Sequence, residues 1–544
     1  MTLNEAEFDV VIVGSGAAGM TAALTAVHHG LTAVVIEKAE HFGGSTARSG
    51  GGVWIPGNSV LRVAGVIDSP EDAVTYLSHV VNSDAPEAKQ KAFLEHGPAM
   101  LDFVLKETPL RFAWVPGYAD YYPELPGGKA RGRTIEPSPL NGKVLGPELS
   151  KLNPPYISTR GVTVTAADYK WLSLGTRHPR AFLRGIRVGI RTVISRILGR
   201  KLLSMGQALI AGLRAGLLRK DVPVLLGTPL TGLVMDGERV AGVRTADKVY
   251  RARRGVLIAS GGFERNEEMR TKYQRSPITA DWTVGAVENT GDGIQAGLDA
   301  GAAVALMDDA WWGPSFLLSG GPYFCLAERS LPGCIIVNQE GKRFVNEAAP
   351  YVDAVHAMYD AGSVPSWLIV DQRYRNSYLF AGLGPRQPIP RRWYEAGALV
   401  KSLTLDGLAK GIGVEPSALE ATVSRFNGFA ERGVDEDFHK GESTYDRYYG
   451  DPRNKPNPNL APLLKAPFYA FKLWPGDLGT KGGLVTDERS RVLREDGSII
   501  PGLYAAGNAS AAVMGHSYAG AGATIGPAMT FGYLAALDMA KKED

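Results

Sequence analysis

The first segment that could do chemistry is a glycine motif near the amino terminus, Gly14-Ser15-Gly16-Ala17-Ala18-Gly19. An apolar stretch typical of a buried strand precedes it, and an alanine-rich stretch typical of a helix follows. In this setting Gly14 permits a tight turn, Gly16 lets backbone N–H groups approach a pyrophosphate, and Gly19 lets helix and strand pack closely. The helix N-terminus attracts phosphate charge. Glu37, at the end of the next apolar strand, can accept hydrogen bonds from ribose hydroxyls. The motif therefore predicts a dinucleotide site.

Three further glycine-rich segments lie far apart in the chain. Residues 42–46 follow Glu37 closely, so a loop there can run back along a dinucleotide toward its far end. Residues 260–262 follow an apolar strand, and residues 502–508 form a strand that enters a glycine turn. Glycine is the residue that permits such turns and close approaches of the backbone.

Tyrosines stand out in three sequence contexts. Tyr121 lies in ADYYP (119–123), Tyr351 ends RFVNEAAPY (343–351), and Tyr518 lies in GHSYAGAG (515–522). A tyrosine hydroxyl can donate or accept a hydrogen bond and, once ionised, can take a proton. In an apolar cavity it costs less to desolvate than a carboxylate.

Together the glycine segments resemble the FAD-binding segments of the fumarate-reductase-like flavoproteins, which favours FAD over NAD. No family motif for covalent attachment is visible, so we expect non-covalent FAD. With the three tyrosine contexts, the chain closely resembles the 3-ketosteroid Δ1-dehydrogenases over nearly its whole length, except about residues 150–205. The resemblance implies a 3-ketosteroid substrate and, because a second dinucleotide motif is not evident, an external electron acceptor such as a quinone or an artificial dye.

The resemblance also implies the site residues. The implied catalytic residues are Tyr121, Tyr351, Tyr518 and Gly522. The implied cofactor-binding residues are Gly14, Gly16, Ala17, Ala18, Gly19, Glu37, Lys38, Gly44, Ser45, Thr46, Ser49, Gly50, Gly51, Ser260, Gly261, Gly507, Asn508, Thr524 and Ile525. A metal site is not expected.

The family's reaction assigns a role to each catalytic residue. It forms a double bond between steroid carbons 1 and 2, with a hydride leaving carbon 1 for flavin N5 and a proton leaving carbon 2. A Tyr518 hydroxyl and the Gly522 N–H would form an oxyanion hole for the 3-ketone, each donor contributing about 3 kcal/mol. Tyr351 would be the base. Since the pKa of a free tyrosine is about 10, Tyr121 would assist it by donating a hydrogen bond to the phenolate.

Several points stay open on the sequence. Tyr122 is a neighbour of Tyr121 and equally aromatic, His516 and Ser517 are expected to be wall residues, and Ala519 stands where the family leads us to expect proline. A fumarate-reductase-like enzyme would bind a dicarboxylate with an arginine placed after the Asn-Glu pair. In this chain Tyr351 stands at the position of that arginine. A Δ4-(5α)-dehydrogenase is consistent with the same scaffold, and so is a membrane-attached flavin-binding protein without dehydrogenase activity.

The elements that must position these residues form an α/β protein with a discontinuous Rossmann-like FAD-binding domain and an inserted α+β catalytic domain. We expect strands at 8–13 and 32–36 around a helix that ends at Gly30, helices within 69–108, and a hairpin at Asp236-Gly237. The predicted FAD-binding domain covers residues 1–305, with a basic helical insertion at about 150–205, and residues 476–544. The predicted catalytic domain covers residues 306–475.

The insertion contains a strongly basic segment. Between Lys170 and Lys220 there are twelve lysines and arginines and neither aspartate nor glutamate. Arg180, Arg184, Arg187 and Arg191 recur at helical spacing beside an apolar face formed by Phe182, Leu183, Ile186, Ile190, Val193, Ile194 and Ile197. Such a helix can lie on an anionic membrane. The alternative is a surface helix whose apolar face packs on the protein's own core while its arginines are solvated.

Composition narrows the class of protein. The 544 residues include 59 basic and 56 acidic ones, a net charge of +3 that does not indicate nucleic-acid binding. Two cysteines, Cys325 and Cys334, cannot build a disulfide framework and are expected to be buried thiols. The acidic start of the chain lacks the pattern of a signal peptide, so we expect a cytoplasmic protein, peripheral to the inner face of the cell membrane if the basic helix binds lipid.

Overall fold

Continuous runs of valine, isoleucine and alanine form a parallel sheet that is covered on both faces, as such runs indicate. The computed structural model describes residues 4–157, 161–175 and 177–541. Predictions that fall on residues 1–3, 158–160, 176 and 542–544 lie outside the described residues. In spatial order the main path of the sheet comprises Arg491–Leu493, Ile499–Ala505, Lys248–Ile258, Asn4–Val13, Ala33–Ile36 and Val224–Leu225, and Arg239–Arg244 and Gly232–Asp236 extend it beside Lys248–Ile258.

The parallel part of this sheet carries the glycine turns at its carboxyl edge. Asn4–Val13 pairs in parallel with Ala33–Ile36 and with Lys248–Ile258, which in turn pairs in parallel with Ile499–Ala505. Because carboxyl ends of parallel strands share one edge, segments from both ends of the chain meet there. The predicted hairpin at Asp236-Gly237 is present, with Gly237 at φ +57°.

A second, antiparallel sheet forms the core of the inserted α+β part. Its strands are Gly321–Phe324, Ala310–Leu318, Phe468–Thr480, Ser366–Asp371 and Cys334–Val337 in spatial order, with Leu399–Ser402 paired to Phe468–Thr480. The predicted boundary at 475–476 lies inside one of these strands. The architecture confirms the predicted fold class, a discontinuous Rossmann-like domain that receives an α+β insertion. Cys325 and Cys334 are buried free thiols in this part.

The remaining strands form small sheets near the site, and helices cover the faces of both large sheets. The small sheets comprise Val53–Trp54 with Thr134–Pro137 and Phe112–Trp114, Leu140–Asn141 with Leu202–Leu203, and Val304–Ala305 with Gly483–Leu484. The α-helices are Ala17–His28, Gly44–Arg48, Ser59–Val63, Pro70–Val81, Glu87–Glu107, Ala166–Leu172, Pro179–Ile197, Met205–Leu218, Glu267–Tyr273, Asp292–Asp299, Tyr351–Asp360, Gln372–Ser377, Arg391–Glu395, Leu405–Ile412, Pro416–Arg432, Thr444–Tyr448 and Ile525–Ala540. None of the helices in the described ranges has the length and apolar character needed to cross a membrane.

The helix Pro179–Ile197, the basic helix from here on, leaves its predicted apolar face exposed. Pro179 occupies the first turn, and the His178 side chain caps it by accepting from the Arg180 N–H at 3.1 Å. The face toward the protein is narrow and made of small or polar side chains, whereas the apolar face is exposed. The exposed fractions are 71% for Phe182, 62% for Leu183, 43% for Ile186, 53% for Ile190, 54% for Val193, 50% for Ile194 and 78% for Ile197.

The arginines of the basic helix do not form one solvated stripe. Arg184 and Arg191 turn toward the protein and form ion pairs of 3.2 and 2.7 Å with the buried carboxylate of Asp168. Asp168 lies just outside the segment that lacks acidic residues, which is why the charge pattern did not reveal it. Arg187 is exposed, and Arg180 is exposed with its guanidinium 4.9 Å from the centre of the Trp171 ring. The idea that the apolar face packs on the protein's own core is therefore wrong for the described residues.

Candidate active site

The first glycine turn is shaped by close backbone contacts. Gly14 has φ +105°, and a Cβ there would lie 2.3 Å from the Ala259 carbonyl oxygen. A Cβ at Gly19 would lie 2.0 Å from the Gly14 carbonyl oxygen, so only glycine lets the helix Ala17–His28 approach the strand before it. The geometry agrees with the packing role expected of Gly19, which does not line the cavity described below.

Glu37 is held in place before any ligand arrives. Its carboxylate accepts hydrogen bonds from the N–H and hydroxyl of Ser15, at 3.0 and 2.5 Å, and from the Ala39 N–H at 3.0 Å. A carboxylate has about four acceptor positions, so capacity remains for ribose hydroxyls. The ammonium of Lys38 instead contacts Asp292 and Thr290 at 2.8 and 2.6 Å. Lys38 therefore borders the cavity with its side chain already engaged.

The loop after Glu37 is fastened from several sides. The Ser45 hydroxyl accepts from the Ala286 N–H at 2.9 Å and from the Asn289 amide at 3.0 Å. The Thr46 hydroxyl accepts from the Ala17 N–H at 3.3 Å, and the Ser49 hydroxyl donates to the Thr46 carbonyl at 2.8 Å. These bonds hold the loop along the first helix, as a cofactor-binding loop requires.

These segments surround one cavity of about 760 Å³. It is lined by every residue predicted for the cofactor except Gly19, and also by Tyr121, Tyr351, Tyr518 and Gly522. The cavity thus contains both the dinucleotide loops and all predicted catalytic residues.

The glycines facing the cavity leave room for a dinucleotide along the loop. A Cβ at Gly44 or Gly50 would meet nothing within 4 Å, and one at Gly16 would have only the Thr46 hydroxyl at 3.7 Å. Neighbouring protein atoms would not prevent a side chain at these positions. Because glycine has no side chain, this space remains open for a ligand along the loop. Glu37 and the three tyrosines all line this one cavity.

The three tyrosines form one buried cluster. The Tyr121 hydroxyl donates to the Tyr351 hydroxyl at 2.8 Å. Ring centres are 5.4 Å apart for Tyr121 and Tyr351, 5.1 Å for Tyr121 and Tyr518, and 5.5 Å for Tyr351 and Tyr518. Tyr122 does not line the cavity, and its hydroxyl donates to Asp353 at 2.8 Å. The structure therefore places Tyr121, rather than its neighbour, at the site.

A buried ion pair positions Tyr121. The preceding residue, Asp120, binds the Arg133 guanidinium at 2.5 Å and accepts from the Trp54 indole N–H at 2.9 Å. The Tyr121 N–H donates to the Ala519 carbonyl at 3.1 Å, and this carbonyl also accepts from the Tyr76 hydroxyl at 2.6 Å. The segment around Tyr121 is thereby joined to the segment around Tyr518, and Ala519 is fixed although it is not proline.

Tyr351 begins the helix Tyr351–Asp360, and a second buried ionic cluster holds the segment before it. Arg343 forms ion pairs of 2.8 Å with Glu347 and 2.7 Å with Asp435. Arg329 donates to the carbonyl oxygens of Glu347 and Ala349 at 2.7 and 2.5 Å. This explains the arginine and glutamate in the sequence context of Tyr351, which serve structure rather than substrate.

The segment around Tyr518 is anchored by a lysine and a histidine outside the cavity. The Lys481 ammonium donates to the Ser517 carbonyl at 3.0 Å and pairs with Asp309 at 2.9 Å. The His516 ring contacts Asp84 at 2.9 Å. Neither His516 nor Ser517 lines the cavity, so neither is a wall residue as predicted.

Gly522 is constrained to be glycine. It has φ +98°, and a Cβ would lie 2.4 Å from the Gly52 carbonyl carbon. Gly522 and Tyr518, four residues apart in the chain, both line the cavity. This placement suits the two donors that an oxyanion hole requires.

Burial dominates the acidity of these hydroxyls. It raises the pKa of Tyr351 well above 10, while the hydrogen bond from Tyr121 acts in the opposite direction. Burial likewise raises the pKa of Tyr518, which stays protonated as a donor must. The base thus rests as a neutral phenol, and every hydrogen bond that lowers its pKa increases the fraction able to take a proton.

Several cavity residues escaped prediction from the sequence. Asn289 supports Ser45, and the turn it begins, Asn-Thr-Gly-Asp-Gly (289–293), is a signal that could have revealed it. Tyr118 and Tyr449 line the cavity beside Tyr121, with their hydroxyls 3.5 Å apart. Nothing in their local sequence distinguishes these two tyrosines from packing residues.

Comparison with known proteins defines the class. The family described as FAD binding domain matches residues 9–525, which is nearly the whole chain. The chain therefore belongs to this family of flavoproteins, and it is an FAD-dependent oxidoreductase.

Its nearer relatives share one activity. The 3-oxosteroid 1-dehydrogenase of Mycolicibacterium smegmatis is 56% identical, with 98% of this chain and 97% of the relative covered. That of Mycobacterium tuberculosis (strain H37Rv) is 57% identical, with 98% of both covered. The crystal structure of 3-ketosteroid Δ1-dehydrogenase from Sterolibacterium denitrificans, in complex with 1,4-androstadiene-3,17-dione, is 42% identical with a TM-score of 0.93, covering 98% of this chain and 99% of that one. The chain belongs to the 3-oxosteroid 1-dehydrogenase family.

Proposed function

We propose that the protein introduces the carbon 1–carbon 2 double bond into 3-ketosteroids. The observation that carries this proposal is the 2.8 Å hydrogen bond between the buried Tyr121 and Tyr351, within one cavity that also contains Tyr518, Gly522 and the dinucleotide loops. The cavity thus combines a base, a site for a ketone oxygen and a place for a hydride acceptor.

Each protein group has a defined part in the reaction. Tyr518 and the Gly522 N–H bind the 3-ketone oxygen and stabilise the negative charge that develops on it. The ionised Tyr351 takes the proton from carbon 2, and the hydrogen bond from Tyr121 stabilises the phenolate. The hydride leaves carbon 1 with its electron pair, and the electrons of the broken carbon 2–hydrogen bond form the double bond. When bound, FAD supplies the acceptor for this hydride.

The character of the cavity argues against a small dicarboxylate as substrate. Within the described part of the chain, the charged residues lining it are Glu37, Lys38, Arg48, Glu288 and Asp292. None of them belongs to the segments that carry the three tyrosines. A flat, largely apolar ligand with one ketone suits that end better than a dianion, which would be left without a cation.

Product analysis tests the proposal. Purified holoprotein should convert androst-4-ene-3,17-dione to the 1,4-diene in the presence of an artificial dye, and mass spectrometry with NMR gives the position of the new double bond. A saturated 5α-steroid converted only to the 4-ene would instead support a Δ4-(5α)-dehydrogenase, and activity on fumarate alone would support a carboxylate reductase. Bound FAD with neither activity would favour a flavin-binding protein that is not an enzyme.

We infer further that electrons leave to an external acceptor, a quinone in the cell or a dye in the assay. The single dinucleotide motif in the sequence supports this proposal, since a nicotinamide would need its own site. Turnover should depend on added quinone or dye and should not be supported by NAD⁺ or NADP⁺.

We also propose that the basic helix attaches the protein to an anionic lipid surface, at the cytoplasmic face of the cell membrane. The exposed apolar face of this helix supports the proposal, with Phe182, Leu183 and Ile197 each more than 60% exposed. Exposed Arg187 and Arg196 flank this face. Such a helix lies in the membrane surface with its apolar side buried, and nearby basic residues each contribute about 1 kcal/mol toward anionic lipid.

The cavity lies close to this helix along the chain. Its lining includes residues 162–164 before the basic helix and Leu202, Leu203 and Met205 after it. Sterols partition into lipid, so attachment here would bring the cavity near the phase that holds its substrate.

Liposome sedimentation tests the attachment. The variant Phe182→Ser/Leu183→Ser/Ile197→Ser should stay in the supernatant with phosphatidylglycerol vesicles, while wild type sediments at low salt and is released as salt rises. Arg187→Gln/Arg196→Gln should bind more weakly. Arg391→Gln/Arg392→Gln, which removes the same charge from another exposed helix, is the matched control and should bind like wild type. Wild-type protein that stays in the supernatant at low salt would contradict the proposal.

A further inference from the structure

Thr524 uses its side chain in an unusual way for its position. It immediately precedes the helix Ile525–Ala540, at the position where threonine commonly caps a helix by accepting a backbone N–H. Here the residue has helical angles, φ −94° and ψ −52°, and its side chain makes no capping hydrogen bond. Its hydroxyl lies 3.0 Å from the Tyr518 hydroxyl instead, and the residue borders the cavity.

The direction of this hydrogen bond decides what the single Tyr518 proton can do. As the structure places the two hydroxyls, that of Thr524 donates to the Tyr518 oxygen at 3.0 Å. In this direction Tyr518 keeps its single proton for another acceptor.

The opposite direction would leave the site without this donor. If Tyr518 donated to Thr524, its only proton would be engaged before a ketone arrived. The same pair of hydroxyls can therefore either prepare the oxyanion hole or block it, depending on which one donates. Because a hydroxyl that accepts a hydrogen bond becomes a stronger donor itself, donation by Thr524 would also strengthen the bond from Tyr518 to the ketone.

We propose that Thr524 is a positioning residue for the reaction: its hydroxyl donates to Tyr518 and so directs the Tyr518 proton into the cavity, toward the 3-ketone oxygen. This inference rests on the proposed function, because it needs a ketone at that place. It is distinct from the predicted part of Thr524 in binding the cofactor, on which the FAD content of the variants reports separately.

Enolisation can be measured apart from oxidation. With the flavin held reduced under anaerobic conditions, no hydride can be taken up, and exchange of the carbon 2 hydrogens of androst-4-ene-3,17-dione with D₂O reports on Tyr351, Tyr518 and Gly522 alone. Wild-type exchange in this assay, together with 1,4-diene formation during turnover, tests the proposed function itself. The Thr524 variants are then compared with that rate.

The decisive variant is Thr524→Val, which keeps the shape of the side chain and loses the hydroxyl. We expect exchange and kcat to fall about tenfold, the scale of one hydrogen bond to a developing charge, with FAD content unchanged and KM little affected. Thr524→Ser should restore most of the rate. Thr530→Val is the matched control, because Thr530 lies on the same helix, outside the cavity lining, and its hydroxyl donates to the Gly526 carbonyl at 2.9 Å.

The two directions of the hydrogen bond predict opposite signs. An exchange rate in Thr524→Val faster than that of wild type would show that Tyr518 donates to Thr524. An equal rate would show that the contact has no effect on enolisation. Either result would overturn the proposal. An equal loss in Thr524→Val and Thr530→Val, or a loss of bound FAD that accounts for the lower rate, would assign Thr524 a structural role and overturn it as well. If wild-type protein neither exchanges the carbon 2 hydrogens nor oxidises the steroid, the proposed function itself is contradicted, and the role of Thr524 is overturned with it.

Discussion

Replacement of Tyr121 by phenylalanine removes one hydroxyl from the cluster and nothing from its packing. The lost interaction is the 2.8 Å hydrogen bond to Tyr351, the one bond from Tyr121 that acts against burial and lowers the pKa of the base. A hydrogen bond to a charged group contributes about 1.5–3 kcal/mol. Loss of this stabilisation of the phenolate should raise the pKa of Tyr351 further.

The sign of the effect on catalysis follows directly. Burial already places this pKa well above 10, so over the accessible pH range only a small fraction of Tyr351 is phenolate and turnover rises with pH. A further increase in the pKa lowers that fraction by about 10- to 100-fold at each pH below it. We expect this in steady-state rates measured with a dye acceptor between about pH 6 and 10. When the logarithm of the rate is plotted against pH, wild type and Tyr121→Phe should give two parallel rising lines, with the line of the variant lower.

Tyr122→Phe provides the matched control. It removes a neighbouring hydroxyl that contacts Asp353 at 2.8 Å and does not line the cavity, so its pH profile should overlay that of wild type. A Tyr121→Phe profile that coincides with wild type, or that shifts toward lower pH, would refute the assistance of Tyr351 by Tyr121.

Two further predictions concern the segment around Tyr518. Tyr518→Phe should lower turnover by about 10²-fold or more and slow carbon 2 exchange equally, because it removes one donor to the ketone oxygen; normal exchange with lost oxidation would exclude the enolisation role. Ion pairs of the ring with Asp308, at 3.6 Å, and with Asp84, at 2.9 Å, raise the pKa of His516 to about 9, so protonation of His516 favours the folded state. This stabilisation is fully present below about pH 6.5 and is lost as the pH rises through 9. His516→Gln should lower Tm at about pH 6, and the difference from wild type should disappear above about pH 9; a difference independent of pH would contradict the ion pairs.

The part of the site that the sequence reveals is the part fixed by local backbone geometry. Gly14 and Gly19 can be recognised in the sequence because their positions require glycine: any side chain there would collide with neighbouring backbone. The alternation of apolar strands and helices around them is equally local, and it predicts the parallel sheet.

Contacts between distant residues could not be predicted in the same way. Tyr121 and Tyr351 are 230 positions apart in the sequence, and they contact each other in the structure. Without the structure, only the family resemblance predicts that they share a site. The interaction of Lys38 with Asp292 and the direction of Arg184 and Arg191 toward Asp168 depend on tertiary placement. Helical spacing showed that the arginines share a face, but it could not show that this face contacts a buried carboxylate.

The central claim is that this cavity oxidises a 3-ketosteroid with Tyr351 as the base, and anaerobic rapid mixing tests it most directly. Oxidised wild-type holoprotein mixed with androst-4-ene-3,17-dione should lose the visible absorbance of its oxidised flavin and form one equivalent of the 1,4-diene. Tyr351→Phe should retain FAD and bind the steroid, yet lose absorbance about 10²-fold more slowly, because the general base is absent. Wild-type protein that keeps its absorbance, or a Tyr351→Phe variant that loses it at the wild-type rate, would contradict the account.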